Sequence, residues 1–211
     1  MEATESAPTE TPPQAVRRKP RVWVPYLILI TLGIALGLGL AARTMRNGAL
    51  GTGDTIGSWT TGRDFGSADQ SAVTRAIVAL RGLLALPASE ARYYNAAVDD
   101  SGAKLASNCR YRLTGGAIPA RWWSVTLYDH AGYLVANDAD VFSVGSTALS
   151  APEQNRWTIL VAPDQQPGRW LPTGGGRDPF ELTLRTYLPA DGGTGNLSAA
   201  QLPSIRKEGC V

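Results

Sequence analysis

From Val22 to Ala42 the chain reads VWVPYLILITLGIALGLGLAA, 21 residues without a charge. At 1.5 Å per residue such a run makes about 31 Å of helix, the thickness of a hydrocarbon core of about 30 Å. It predicts a single transmembrane helix over residues 22–42. Trp23 and Tyr26 stand at its start, where amphipathic rings favour the headgroup level, and Pro25 falls in the first turn, where a missing N–H costs little. The run is longer than the roughly 7–15 apolar residues of a cleavable signal, and Gly39-Leu40-Ala41 matches a cleavage site only weakly. A retained anchor is therefore expected. Upstream, residues 1–21 carry Pro8, Pro12, Pro13 and Pro20 among Glu, Thr and Ser without apolar periodicity, and read as disordered.

Downstream the pattern changes twice. Residues 43–66, with Gly48, Gly51, Gly53, Gly57, Gly62 and Gly66, read as a flexible linker, with Trp59 and Phe65 hinting at docking near its end. Ser67 or Asp69 can then cap a helix in which Val73, Ile77, Leu80, Leu83 and Leu84 recur at three- and four-residue steps up to Pro87. From there the apolar period is two. Tyr93–Val98 and Lys104–Ala106 flank Asp99-Asp100-Ser101-Gly102, and Trp122–Tyr128 and Tyr133–Asn137 flank Asp129-His130-Ala131-Gly132, each a hairpin signature. Arg110–Leu113, Trp157–Ala162 and Phe180–Leu188 are further strand-like runs. The pattern predicts a mainly β protein: an antiparallel β-sandwich or jelly-roll-like domain over 67–211, with one N-terminal amphipathic helix, preceded by the membrane span.

Composition supports this. Gly 23 and Pro 14 make about 18% of 211 residues, above a norm of about 12%, which favours turns over long helices. The net charge of +2 is not a binding surface: residues 1–46 hold six Lys/Arg against three Glu, and residues 47–211 hold 14 against 15. Arg17, Arg18, Lys19 and Arg21 precede the span, whereas only Arg43 and Arg46 follow it. The positive-inside rule then places the N-terminus in the cytoplasm and the C-terminal domain in the periplasm of a bacterial inner membrane. Gly33 and Gly37 form a G-x-x-x-G pair, a face for weak homodimerisation. No basic stripe for nucleic acid is visible.

In an oxidising compartment the two cysteines, Cys109 and Cys210, are expected to form a disulfide. No catalytic constellation is visible. The single histidine, His130, sits in a turn beside Asp129 with no G-x-S-x-G elbow, and it leaves no His-rich metal site. Asp138 and Asp140 are a D-x-D fragment without the spacing of a calcium loop, and Thr173-Gly174-Gly175-Gly176-Arg177 offers backbone donors for an anion but no Walker ending. No metal and no cofactor are expected. Alternation along two strands is more informative. It sets Trp123, Val125 and Leu127 against Trp122, Ser124, Thr126 and Tyr128, and Phe180, Leu182 and Leu184 against Glu181, Thr183, Arg185 and Tyr187. The first group of each pair is a core face. The second offers Trp122, Tyr128, Arg185 and Tyr187 as candidate ligand-binding residues, rings and a cation suited to a sugar or a peptide.

Several segments together resemble the domain of unknown function 1214 family of bacterial proteins: Ile56-Gly57-Ser58-Trp59-Thr60-Thr61, the helix TRAIVALRGLLALPASEARYY, Asp99-Asp100-Ser101-Gly102, the strand from Pro119 to Asp129, Gly132-Tyr133-Leu134, Trp170-Leu171-Pro172 and Phe180 to Arg185. The resemblance implies a β-sandwich and brings no established catalytic residues. It also implies a companion, domain of unknown function 1254, which in short anchored members is carried by a separate partner protein. The expected function is that of a single-pass membrane-anchored envelope protein with a non-catalytic binding or structural domain. The alternative is an envelope hydrolase or carbohydrate-active enzyme using carboxylates such as Asp129 and Asp138 near Trp122.

Overall fold

A computed structural model describes residues 23–47, 53–62, 67, 70–80 and 86–211 of the protein. The chain divides after Arg43 into two units. The first contains most of helix α1, Trp23–Asn47, whose side chains from Trp23 to Arg43 are all exposed. The 21-residue stretch Trp23–Arg43 has the length and composition of a membrane anchor or a signal sequence. Gly33 and Gly37, one turn apart, have open space around them. The disorder expected for residues 1–21 lies outside the described residues.

In the second unit, inward-facing residues of two sheets build one core. The larger sheet has the order β1-β2-β3-β9-β5-β6, with β1 Asp54–Ile56, β2 Trp59–Thr61, β3 Ala91–Ala96, β5 Ala120–Asp129, β6 Ser143–Gly145 and β9 Phe180–Pro189. The smaller has the order β10-β4-β7-β8, with β4 Cys109–Gly116, β7 Arg156–Ala162, β8 Trp170–Pro172 and β10 Ser204–Cys210. All pairs are antiparallel except β7–β8, which is parallel. Period-two alternation supplies the core: Val125 and Leu127 from β5, Leu182 and Leu184 from β9, Tyr111 and Leu113 from β4, Trp157 and Ile159 from β7. Trp123 stacks on Trp157 with ring centroids 4.5 Å apart. Gly115 is required there, since a Cβ would come within 2.1 Å of the Trp157 ring. The polar tips are satisfied: Trp157 Nε1 donates to the Gly116 carbonyl at 2.8 Å and Trp59 Nε1 to the Pro203 carbonyl at 2.7 Å.

Four expectations change. The segment read as a linker over 43–66 contains the β1–β2 hairpin, which pairs with β3 and buries Trp59, so the β unit starts before residue 67. Helix α2, Ala72–Leu80, is capped by Ser71, whose hydroxyl accepts from the Thr74 N–H at 3.1 Å, rather than by Ser67. Its buried contact is Val78, while Val73 is exposed; Asp69, Leu83 and Leu84 lie outside the described residues. Neither second hairpin arm forms a strand: Lys104 and Leu134 make only isolated bridges, to Val98 and Tyr128. The partner of β5 is β6 instead. The Asn137 side chain donates to the Val135 and Val141 carbonyls and accepts from the Val141 N–H, closing a turn that returns the chain to the sheet edge.

Candidate functional site

The outer face of the larger sheet gathers all four residues expected to bind a ligand. The register sets Trp122 opposite Tyr187 and Ser124 opposite Arg185, with Tyr93 of β3 on the far side of Arg185. Trp122 and Tyr187 make a tilted ring pair with centroids 5.2 Å apart. The indole lies over β6, where a Cβ at Gly145 would approach Trp122 to 2.9 Å, so the glycine makes room for the ring. Arg185 reaches along the face: its Nη2 donates to the Tyr128 hydroxyl at 2.7 Å. Its guanidinium carbon sits 5.2 Å from the Tyr128 ring centre and 5.9 Å from that of Tyr93.

The small hydroxyl residues between these groups, Ser124, Thr126 and Thr183, are buried, whereas Trp122, Tyr128, Arg185 and Tyr187 are half-buried. The large side chains thus roof the small ones and form the surface themselves. Val78 of α2 packs with Ala91 and Tyr93, joined by Leu86 and Tyr187, and so covers the β3 side of the face. Burial there pushes the Tyr93 hydroxyl above its ordinary pKa. Tyr93 was not among the sequence candidates; it joins Arg185 only through the β3–β9 register. Such a surface holds flat, amphipathic groups by stacking and one anionic or carbonyl group by the guanidinium.

The remaining candidates do not join this surface. Asp129 lies seven residues from Trp122 along β5, about 23 Å at 3.3 Å per residue, and on the opposite alternation face. Its Oδ1 accepts from the Ala131 and Tyr133 N–H groups at 2.9 and 2.8 Å, which makes it a turn cap beside the exposed His130. Asp138 lines a different cavity, with Trp170 and Pro172. The pairing of carboxylates near Trp122 is therefore not formed. Gly174, Gly175 and Gly176 all have positive φ, +71°, +78° and +85°, whereas an anion nest alternates right- and left-handed residues. Among the described residues no group of three His, Cys, Asp or Glu side chains converges as a metal site. Cys109 and Cys210 are bonded, with the sulfurs 2.02 Å apart, tying the end of β10 to the start of β4.

Two β-sheets packed on one core define the class, a β-sandwich domain, and the outer face of its larger sheet carries the aromatic and cationic groups. Residues 90–191, that is β3 to β9 with all four surface candidates, match the family described as "Protein of unknown function (DUF1214)". Among solved structures it is similar to the VPA0106 protein from Vibrio parahaemolyticus, with a TM-score of 0.55 and 21% identity over 92% of this chain. The chain spans 47% of that protein's length. An uncharacterized protein from Burkholderia cenocepacia matches with a TM-score of 0.41 and 17% identity, over 56% of this chain and 30% of its own. No curated protein matches.

Proposed function

We propose that this chain is a single-pass membrane-anchored envelope protein whose N-terminus is cytoplasmic. Its β-sandwich faces the periplasm and acts without catalysis, binding a partner through the outer face of the larger sheet. The observation that carries this reading is the convergence of Trp122, Tyr187, Arg185 and Tyr128 on one half-buried face, in two ring and cation contacts. The uncovered apolar helix and the Cys109–Cys210 disulfide support an anchor and an oxidising compartment. The proposed partner is a separate envelope protein carrying the companion domain of unknown function 1254. In the Vibrio structure as much chain again lies outside the aligned part, enough for a second domain.

Co-purification of that partner with the full chain after mild crosslinking tests the reading. The double substitution Trp122→Ala and Tyr187→Ala removes both rings of one contact and is expected to reduce recovery at least about tenfold, as loss of aromatic anchors does. Unchanged recovery by the double variant would count against the face, and recovery of the wild-type chain alone would count against the partner.

A further inference from the structure

A second site lies on the other side of the same sheet. Arg92 of β3 sits opposite Thr186 on the inner alternation face and is only 6% exposed. Its guanidinium clamps the connection between β9 and β10. Nη1 donates to the Gly193 carbonyl at 3.0 Å and Nη2 to the Asn196 side-chain oxygen, and Asn196 in turn donates to the Asp54 carboxylate at 2.7 Å. These bonds use two of five N–H donors, and Nε has no acceptor. Among the described residues no carboxylate makes an ion pair with this guanidinium. A buried cation with donors left over carries a free-energy penalty that an added acceptor relieves.

Space for that acceptor is present. Arg92 lines a cavity of about 370 Å³ whose walls are apolar at Tyr94, Pro119, Pro189 and Leu197 and polar at Asp191, Asn196 and Gln201. It also lines a neighbouring one of about 300 Å³ under the Gly193–Asn196 loop. A pocket with an apolar wall beside a cation favours an organic anion, since the apolar body is desolvated while the charge meets the guanidinium. Asp191 is itself a lining residue of this cavity; its carboxylate is held ionised by the Gly193 and Gly195 N–H groups and, to a smaller extent, by the Arg92 charge, and its negative charge disfavours a dianion. We propose that this cavity binds a small monocarboxylate with an apolar body, held by the Arg92 guanidinium. This site shares no residue with the outer face, so either can fail alone.

Calorimetric titration of the full chain in detergent with 3-phenylpropionate, 3-phenylpropionamide and inorganic phosphate tests the proposal. The carboxylate is expected to bind at least about tenfold more tightly than the amide or phosphate, the ratio that one charge-assisted hydrogen bond supplies. Ala190→Trp places bulk in the cavity wall at an exposed position and leaves the Arg92 clamp in place; it is expected to weaken the carboxylate at least about tenfold. Equal binding of acid and amide, equal binding of phosphate, an unaffected A190W variant, or no carboxylate binding at millimolar concentration would each overturn the proposal.

Discussion

Arg185 and Arg169 show how much a single cation does in different surroundings. Arg185 lies between two tyrosine rings on a half-buried face, so its neighbours desolvate it in part and fix its direction. Arg169 instead pairs with Glu153 at 2.7 Å on the surface. Its hydrogen bond, with those from Ser150, holds the Glu153 carboxyl far below its ordinary value near 4.5, at about 2. A carboxylate depressed in the folded state contributes stability that is complete above the unfolded value and is lost as pH falls through the folded one. The expected outcome is a slope in stability between about pH 4.5 and pH 2 that Glu153→Gln flattens. Denaturant midpoints across that window measure it, and an equal slope in both proteins would show that Glu153 does not carry it. The Glu153 side chain is partly exposed, so salt is expected to shrink the effect.

At the scale of elements, strands whose inner residues are apolar were legible in the sequence, and strands that keep an edge polar were not. The runs over Trp122–Tyr128 and Phe180–Leu188 alternate cleanly and form β5 and β9. Strand β10 reads SIRKEGC, with only Ile205 buried; its charges suit an edge strand, where they block further pairing, and they hide it from a periodicity search. Strand β8 ends in Pro172, which an edge position tolerates. That Trp122 and Tyr128 share one face of β5, and Arg185 and Tyr187 one face of β9, followed from alternation; that the two faces meet comes from the β5–β9 pairing. The Tyr93 contribution and the Arg92 cavity likewise depend on which strand pairs with which. The disulfide belongs to this scale as well, since it fastens β10 to β4 across 101 residues of sequence. In the chain-entropy treatment closing such a loop contributes up to about 4–5 kcal/mol. Reduction is expected to expose two thiols to alkylation and to lower the denaturant midpoint; two reactive thiols before reduction would contradict the bond.

For the whole molecule, the charge asymmetry, the apolar helix and the disulfide fit the proposed topology: basic residues flank the start of the apolar helix, and a nearly neutral β unit follows. Its two sheets divide the work. The inner faces make the core, the Arg92 cavity lies between the inner face of the larger sheet and the loops beside it, and the outer face of the larger sheet carries the rings and Arg185. The smaller sheet serves as a comparison, because exposed Arg206 of β10 stands on its surface and shares none of those contacts. A photoreactive phenylalanine analogue placed at residue 187, and separately at residue 206, in the full chain in its native membrane tests the central claim most directly. Illumination is expected to join residue 187, but not residue 206, to the protein carrying the companion domain, and Arg185→Met is expected to reduce that adduct. An adduct of equal yield from both positions, or from residue 206 alone, would contradict the assignment of the larger sheet's outer face as the binding surface.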